Sequence, residues 1–216
     1  KVKTVANISR TQIKGIGISY QMHGLVLVDE KGHLLRKSII WCDSRAVEIG
    51  KTAYKELGTD KCNRELLNSP ANLTASKLKW VQLNEPDIYK KIKKFMLPGD
   101  YIAYRFTGTI NSTLSGLSEG VFWNFKKKEP ASFLLDYFGI SEELIPDITE
   151  TFGYQAEVND QGEKESQIAR GTPILYRAGD QPNNALSLNV FNPGEIAATG
   201  GTSGVVYAIT DNLSVK

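Results

Sequence analysis

The β-rich run Thr172 to Arg177 passes through Ala178-Gly179-Asp180 straight into a helical segment that opens at Gln181-Pro182. A strand handing over to a helix within three residues is the unit of layered α/β domains, because each element buries its apolar side against the other. The rest of the chain alternates in the same way. Ile13 to Ser19 reads as a strand, with apolar residues set between small or polar ones. Leu25 to Val28 stops at the turn cluster Asp29-Glu30-Lys31-Gly32 and resumes from Leu34 to Trp41, the pattern of a hairpin. Helices are expected from Ser44 to Leu57 with Gly58 as the stop, over Ser76 to Asn84, and from Pro86. Two more run from Pro98 to Phe106, closed by Gly108, and from Ala131 to Phe138, closed by Gly139. Residues 109 to 125 hold small polar residues and Val121-Phe122-Trp123, and read as a strand or an ordered loop. The helix after Asp180 is expected to run toward Val190. Beyond it, Ile196 to Thr199 and Val205 to Ile209 flank Gly200-Gly201-Thr202-Ser203-Gly204, a hairpin with a glycine-rich tip. The fold class is α/β.

Composition narrows the function classes. A net charge of +2 over 216 residues argues against a nucleic-acid partner held by bulk charge. No apolar run approaches the roughly 20 residues that cross a bilayer, so no membrane partner is expected. The basic runs around Lys90 to Lys94 and Lys126 to Lys128 lack interleaved aromatics and read as solvated faces. Cys42 and Cys62 form no metal spacing, and with only two His a zinc site is not expected. Reduced thiols in a cytoplasmic setting are the expectation.

Three places can carry chemistry. Asp180 sits at the carboxyl end of a strand, where open α/β sheets collect ligands, and its carboxylate can reach a substrate hydroxyl. The alternative is a helix cap. The tip Gly200 to Gly204 offers backbone amides and the hydroxyls of Thr202 and Ser203 to phosphate oxygens; a plain turn needs the same glycines. Gln21-Met22-His23-Gly24 follows the first strand, and Gln and His can hydrogen-bond vicinal hydroxyls while Met packs on a sugar's carbon face. His33 lies in the Lys31-Gly32 turn and reads as exposed.

Taken together, these stretches resemble the FGGY family of carbohydrate kinases. The resemblance rests on Gly15 to Gly24, Asp29 to Gly32, Ile40-Trp41-Cys42-Asp43-Ser44-Arg45, Thr74 to Trp80 with its Lys-x-x-Trp, Leu97-Pro98-Gly99-Asp100-Tyr101 with Phe106-Thr107-Gly108, Ala178-Gly179-Asp180-Gln181 and Gly201-Thr202-Ser203-Gly204, in the family's order. Gln-Met-His-Gly is the form typical of its xylulokinase members. The resemblance implies a ribonuclease-H/actin-like lobe, a mixed sheet with flanking helices, in a two-lobed sugar kinase. It further implies ATP-dependent phosphorylation of a sugar hydroxyl, D-xylulose first, with another ketose or polyol as the alternative. A non-catalytic sugar-binding module is the alternative from another class.

By the same resemblance Asp180 is the catalytic base, and it lies beside Mg²⁺ bridging the nucleotide phosphates. Gln21, Met22, His23, Asp180 and Gln181 contact the sugar, and Gly201, Thr202, Ser203 and Gly204 form a phosphate loop. Residues 1–193 would be the sugar-binding lobe and 194–216 the first hairpin of the ATP-binding lobe. A homodimer would be unexceptional. Tyr20 stands where glycine is common, which either narrows the sugar pocket or repacks the strand. Gln181 replaces the Asn usual in xylulokinases. The family's first phosphate loop, Asp-x-Gly-Thr, is not in the chain, so the 216 residues alone are not expected to phosphorylate a sugar at a useful rate.

Overall fold

A computed structural model describes residues 7–200 and 204–213. Gly201, Thr202 and Ser203 of the expected phosphate loop lie outside the described residues.

Two strands position the site. β1 (Ile16–Tyr20) runs parallel to β9 (Pro173–Gly179), and β8 (Phe152–Glu157) pairs antiparallel with the other edge of β9. The register sets Tyr20 opposite Gly179, so both strands end level. The segments that follow, Gln21 to His23 and Asp180, leave the sheet at one edge. β1 buries Ile18 and Tyr20 and exposes Gly17 and Ser19, the period-2 pattern of a strand packed on one side. On the packed side, Ile18, Tyr20, Leu97, Ala103 and Ile174 form a small core with α5 (Pro98–Thr107). The Tyr20 ring lies on Gly99, where a Cβ would come within 2.1 Å of it. Tyr20 therefore packs the strand against α5.

The start of α5 is locked into the same place. Pro98 opens the helix, where its missing N–H costs nothing. The Asp100 carboxylate accepts from Leu97 N at 3.0 Å and Ser112 Oγ at 2.8 Å. Its other oxygen lies 3.1 Å from Arg177 Nε in β9, and both side chains are wholly buried. Arg177 Nη2 also donates to Asn111 Oδ1 at 2.9 Å. Burial pushes the Asp100 carboxyl up, and Arg177 opposes that shift.

β2 (Val26–Val28) divides its alternating side chains between two cores. Leu25 and Leu27 enter the main one, while Val26 and Val28 meet Met96 on the other side. Its ladder partner is the antiparallel β3 (Lys94–Met96). The expected hairpin return is reduced to two isolated bridges, Leu25–Ile39 and Val28–Leu34. Between them Leu35 N–H donates to the Leu27 carbonyl at 3.0 Å, and Arg36 pairs with Glu85 at 2.7 Å.

The main core gathers α1 (Val47–Leu57), α2 (Thr59–Leu66), α3 (Thr74–Asn84) and α7 (Ser132–Phe138) around Leu66, Leu78, Phe95, Phe122 and Phe138. The Phe95 and Phe122 rings stack with centroids 4.2 Å apart, worth about 0.5–1.5 kcal/mol beyond their burial. Pro86 opens α4 (Pro86–Tyr89) as expected. Gly108 and Gly139 end their helices in the left-handed conformation, at φ 73 and 63. α1 starts at Val47, with Ala46 rather than Ser44 at its cap.

Within 109–125, where a strand or loop was expected, the short strands β4 (Asn111–Thr113) and β5 (Trp123–Asn124) flank a helix, α6 (Leu114–Glu119). Its start is capped by Thr113 Oγ1, which accepts from Gly116 N at 3.1 Å. β6 (Glu129–Pro130) closes β5, β7 (Asp147–Thr149) runs beside β4, and α8 (Asp160–Ser166) follows β8. α9 (Asp180–Ser187) ends short of Val190. β10 (Ile196–Gly200) and β11 (Gly204–Ala208) pair antiparallel, with Gly200 opposite Gly204. Cys42 and Cys62 are free thiols. Among the described residues no helix is long and apolar enough to cross a membrane. The architecture is a mixed α/β lobe.

Candidate active site

The level ends of β1 and β9 open onto a cleft of about 370 Å³ lined by Gln21, Met22, His23, Trp41, Asp180 and Gln181, with Val205 of β11 on its rim. A second hollow of about 460 Å³ shares Met22, His23 and Gln181 and adds Glu119 and Gly179. The structure thus brings together Gln21, Met22, His23, Asp180 and Gln181 from positions some 160 residues apart in sequence. Of the expected phosphate loop, only Gly204 is described, at the start of β11 beside Val205.

Asp180 is the first residue of α9, and Gly179 occupies the cap position without a side-chain cap bond. The capping alternative for Asp180 therefore does not hold. Gln181 Nε2 donates to Asp180 Oδ2 at 3.2 Å. Asn183 Nδ2 donates back to the carbonyls of Ala178 and Gly179 at 3.0 and 2.8 Å, tying the first turn of α9 to the end of β9. At Gly179 any side chain would intrude on the site: a Cβ would lie 2.3 Å from Met22 Cγ and 2.8 Å from Glu119 Oε2.

His23 is held at three of its polar groups. Its backbone is left-handed, at φ 62, which for a non-glycine residue costs about 1–3 kcal/mol and persists only where the surroundings impose it. Glu119 Oε1 accepts the His23 N–H at 3.3 Å, and Lys77 Nζ donates to the His23 carbonyl at 2.8 Å. His23 Nδ1 lies 3.0 Å from the Glu119 main-chain oxygen. A carbonyl can only accept, so the proton resides on Nδ1 and Nε2 carries the lone pair. Burial pulls the His23 pKa below the usual imidazole value, which keeps the ring neutral.

Lys77 is wholly buried and also donates to the Ile40 carbonyl at 3.1 Å. Burial lowers its pKa to about 8. The Glu119 carboxyl is pushed up to about 8, chiefly by burial; Asp100 and Asp180 raise it further, while the His23 N–H and Tyr20 pull the other way. Trp41 donates its backbone N–H to Gln21 Oε1 at 3.2 Å, and the residue is 60% exposed. It gives the cleft an apolar wall suited to sugar carbons. The loop carrying Trp41 is tied down by Arg45, which pairs with Asp43 at 2.7 Å and lies 4.5 Å above the Trp80 ring. Lys-x-x-Trp thus acts behind the cleft: Lys77 holds both loops, through the His23 and Ile40 carbonyls, and Trp80 steadies the second through Arg45.

Sequence reasoning missed Trp41, Glu119 and Asn183 as members of the site. Trp41 stood in a quoted motif and carried a signal. Glu119 and Asn183 carried none, because their roles depend on contacts across the fold. Among the described residues no group of three or more His, Cys, Asp or Glu is placed to hold a metal ion. Asp180 is the carboxylate of the smaller cleft. Mg²⁺ is commonly held by one or two carboxylates together with substrate phosphates, so this donor set suits an ion that arrives with a nucleotide.

Comparison with known proteins agrees with this architecture. Residues 1–187 match the family model described as the FGGY family of carbohydrate kinases, N-terminal domain. A xylulose kinase from Bacillus subtilis is 28% identical over 210 residues, covering 95% of this chain and 41% of that relative. A glycerol kinase from Thermococcus kodakarensis is 29% identical over 215 residues, covering 96% of this chain and 42% of its own length. The crystal structure of a xyloylose kinase from Brucella ovis superposes with a TM-score of 0.82 at 28% identity, covering 96% of this chain and 41% of the other. The chain spans about two fifths of the length of the relatives it matches.

Proposed function

Since the chain belongs to the FGGY family of carbohydrate kinases through its N-terminal domain, we propose that it supplies the sugar-binding face and the catalytic base for ATP-dependent phosphorylation of a sugar hydroxyl, D-xylulose yielding D-xylulose 5-phosphate. The observation that carries this reading is Asp180, at the carboxyl end of β9, in one cleft with Gln21, Met22, His23 and Gln181. In this reading the Asp180 carboxylate takes the proton of the attacking hydroxyl. His23 Nε2 accepts from a second sugar hydroxyl, Gln21 and Gln181 bind others, and Trp41 and Met22 cover the carbon skeleton. Asp180 would also face Mg²⁺, which when bound neutralises phosphate charge. Gly201 to Gly204 would receive the nucleotide phosphates, as the start of a second lobe from residue 194. Gln181 favours a second reading of the sugar, a polyol acceptor such as glycerol, and a glycerol kinase stands among the relatives.

The test is ADP release by the complete protein with D-xylulose, other ketoses, gluconate and glycerol, beside Asp180→Asn. D-Xylulose is expected to be the best acceptor, and Asp180→Asn to lower kcat by roughly 10²–10⁴-fold. Turnover of another polyol without D-xylulose overturns the sugar and keeps the reaction. Retained turnover in Asp180→Asn overturns the role of Asp180.

A further inference from the structure

Glu119 meets His23 twice. Its side-chain Oε1 accepts the His23 backbone N–H at 3.3 Å, and its main-chain oxygen accepts from Nδ1 at 3.0 Å. Lys77 Nζ holds the remaining backbone group, the His23 carbonyl. Nε2 is then the one polar group of His23 without a hydrogen bond from the described residues, and His23 lines the cleft that holds Asp180. The second Glu119 oxygen faces the backbone of Gly179, the residue before Asp180. A single side chain at the end of α6 therefore touches both loops that carry the site.

We propose that Glu119 is a positioning residue of the sugar site, which fixes His23 in its left-handed conformation and so presents Nε2 as a hydrogen-bond acceptor to one substrate hydroxyl. This rests on the sugar-kinase reading of the cleft and adds to it the group that sets which hydroxyl pattern His23 recognises. Acceptor-only recognition selects a hydroxyl, a donor, over a carboxylate or a carbonyl at that position of the substrate. Neutral polyols and ketoses are therefore favoured there over a sugar acid whose carboxylate would face His23.

The experiment compares Glu119→Ala and Glu119→Gln with the unmodified complete protein in two readouts. The first is KM and kcat for the best sugar acceptor. The second is the ring ¹⁵N spectrum of His23, assigned by loss of its signal in His23→Gln. Glu119→Ala is expected to raise KM at least about tenfold with kcat changed less than about threefold, because His23 binds the sugar in ground and transition states alike. Glu119→Gln keeps an acceptor oxygen for the His23 N–H and is expected to restore KM to within about threefold. The spectrum should report Nδ1–H in the unmodified protein and in Glu119→Gln. Glu119→Ala keeps the main-chain acceptor but frees the His23 N–H, and the released backbone is expected to carry the ring off that acceptor and give an averaged tautomer signal. If Glu119→Ala does not fold, Glu119→Met keeps the volume without the acceptor and takes its place. An unchanged KM with an unchanged ring signal in the variant lacking the acceptor overturns the proposal. If no sugar is turned over even by the unmodified protein, the kinase reading falls separately. The ring signal then decides the positioning role: its retention in the variant overturns that role, and its loss upholds it.

Discussion

Glu119 is a carboxyl in a place built for a neutral group, and its protonation is coupled to folding. Its ordinary value, 4.5, rises to about 8 in the folded chain, mainly through burial. Between those values the folded state keeps a proton that the unfolded state releases. Its stabilising contribution is therefore complete below pH 4.5, and is lost as pH rises through 8. At 1.36 kcal/mol per unit, the loss is about 5 kcal/mol. Glu119→Gln cannot ionise, so urea denaturation should show its stability gaining on the unmodified protein between pH 5 and pH 9. Parallel curves would mean that Glu119 is ionised in the folded state at neutral pH. None of this was legible in Ser118-Glu119-Gly120, which lies in the stretch that reads as a strand or an ordered loop. Gln21, His23 and Asp180, by contrast, stood out because each follows a strand and belongs to a recognisable string. The string did not say what orients them, since a hydrogen bond between residues 23 and 119 leaves no local pattern.

Among the elements, β9, α5 and β4 are joined by a buried charge pair. Asp100 and Arg177 are wholly buried and face each other at 3.1 Å, with Leu97, Ser112 and Asn111 supplying further bonds. Arg177 Nη1 nonetheless has no hydrogen-bond partner among the described residues. Removing one charge strands the other, so Arg177→Leu is expected to cost about 3–5 kcal/mol by urea denaturation. The double change Arg177→Leu with Asp100→Leu should cost much less than Arg177→Leu alone. A double variant as unstable as the single would mean that the pair contributes more than charge neutralisation. The elements themselves were read from sequence where glycine or proline marks a boundary, as at Pro86, Pro98, Gly108 and Gly139. α6 was hidden because Leu114-Ser115-Gly116-Leu117-Ser118 has little helical preference; the cap at Thr113 and its packing against the core hold it. The hairpin after β2 was legible in its turn and apolar runs, and the return limb comes back antiparallel through Leu34, Leu35 and Ile39. Its irregular ladder was not legible, since the Arg36–Glu85 pair joins residues 49 apart.

For the whole molecule, the cleft draws on residues from 21 to 205, so a ligand there rewards the complete fold. A sugar at 100 times its Kd adds about 2.7 kcal/mol, which for a chain of this size raises Tm by roughly 5–10 °C. Thermal melts with D-xylulose, glycerol and gluconate therefore rank acceptors without any turnover. A Tm that none of them moves would mean the cleft is not a sugar site. The parallel ladder that sets Tyr20 beside Gly179 has a consequence for redesign. It acts as a shared datum line from which residues 21–23 and Asp180 are both measured, and Met22 and Glu119 are the side chains through which the two also meet. A replacement loop of equal length keeps the register, and must also leave Gly179 free of steric conflict at the place of Met22. A one-residue insertion within β1 instead shifts the loop by about 3.3 Å and turns the strand's inward face outward. Under the proposed roles, acceptor preference and proton abstraction are parts mounted on one rail.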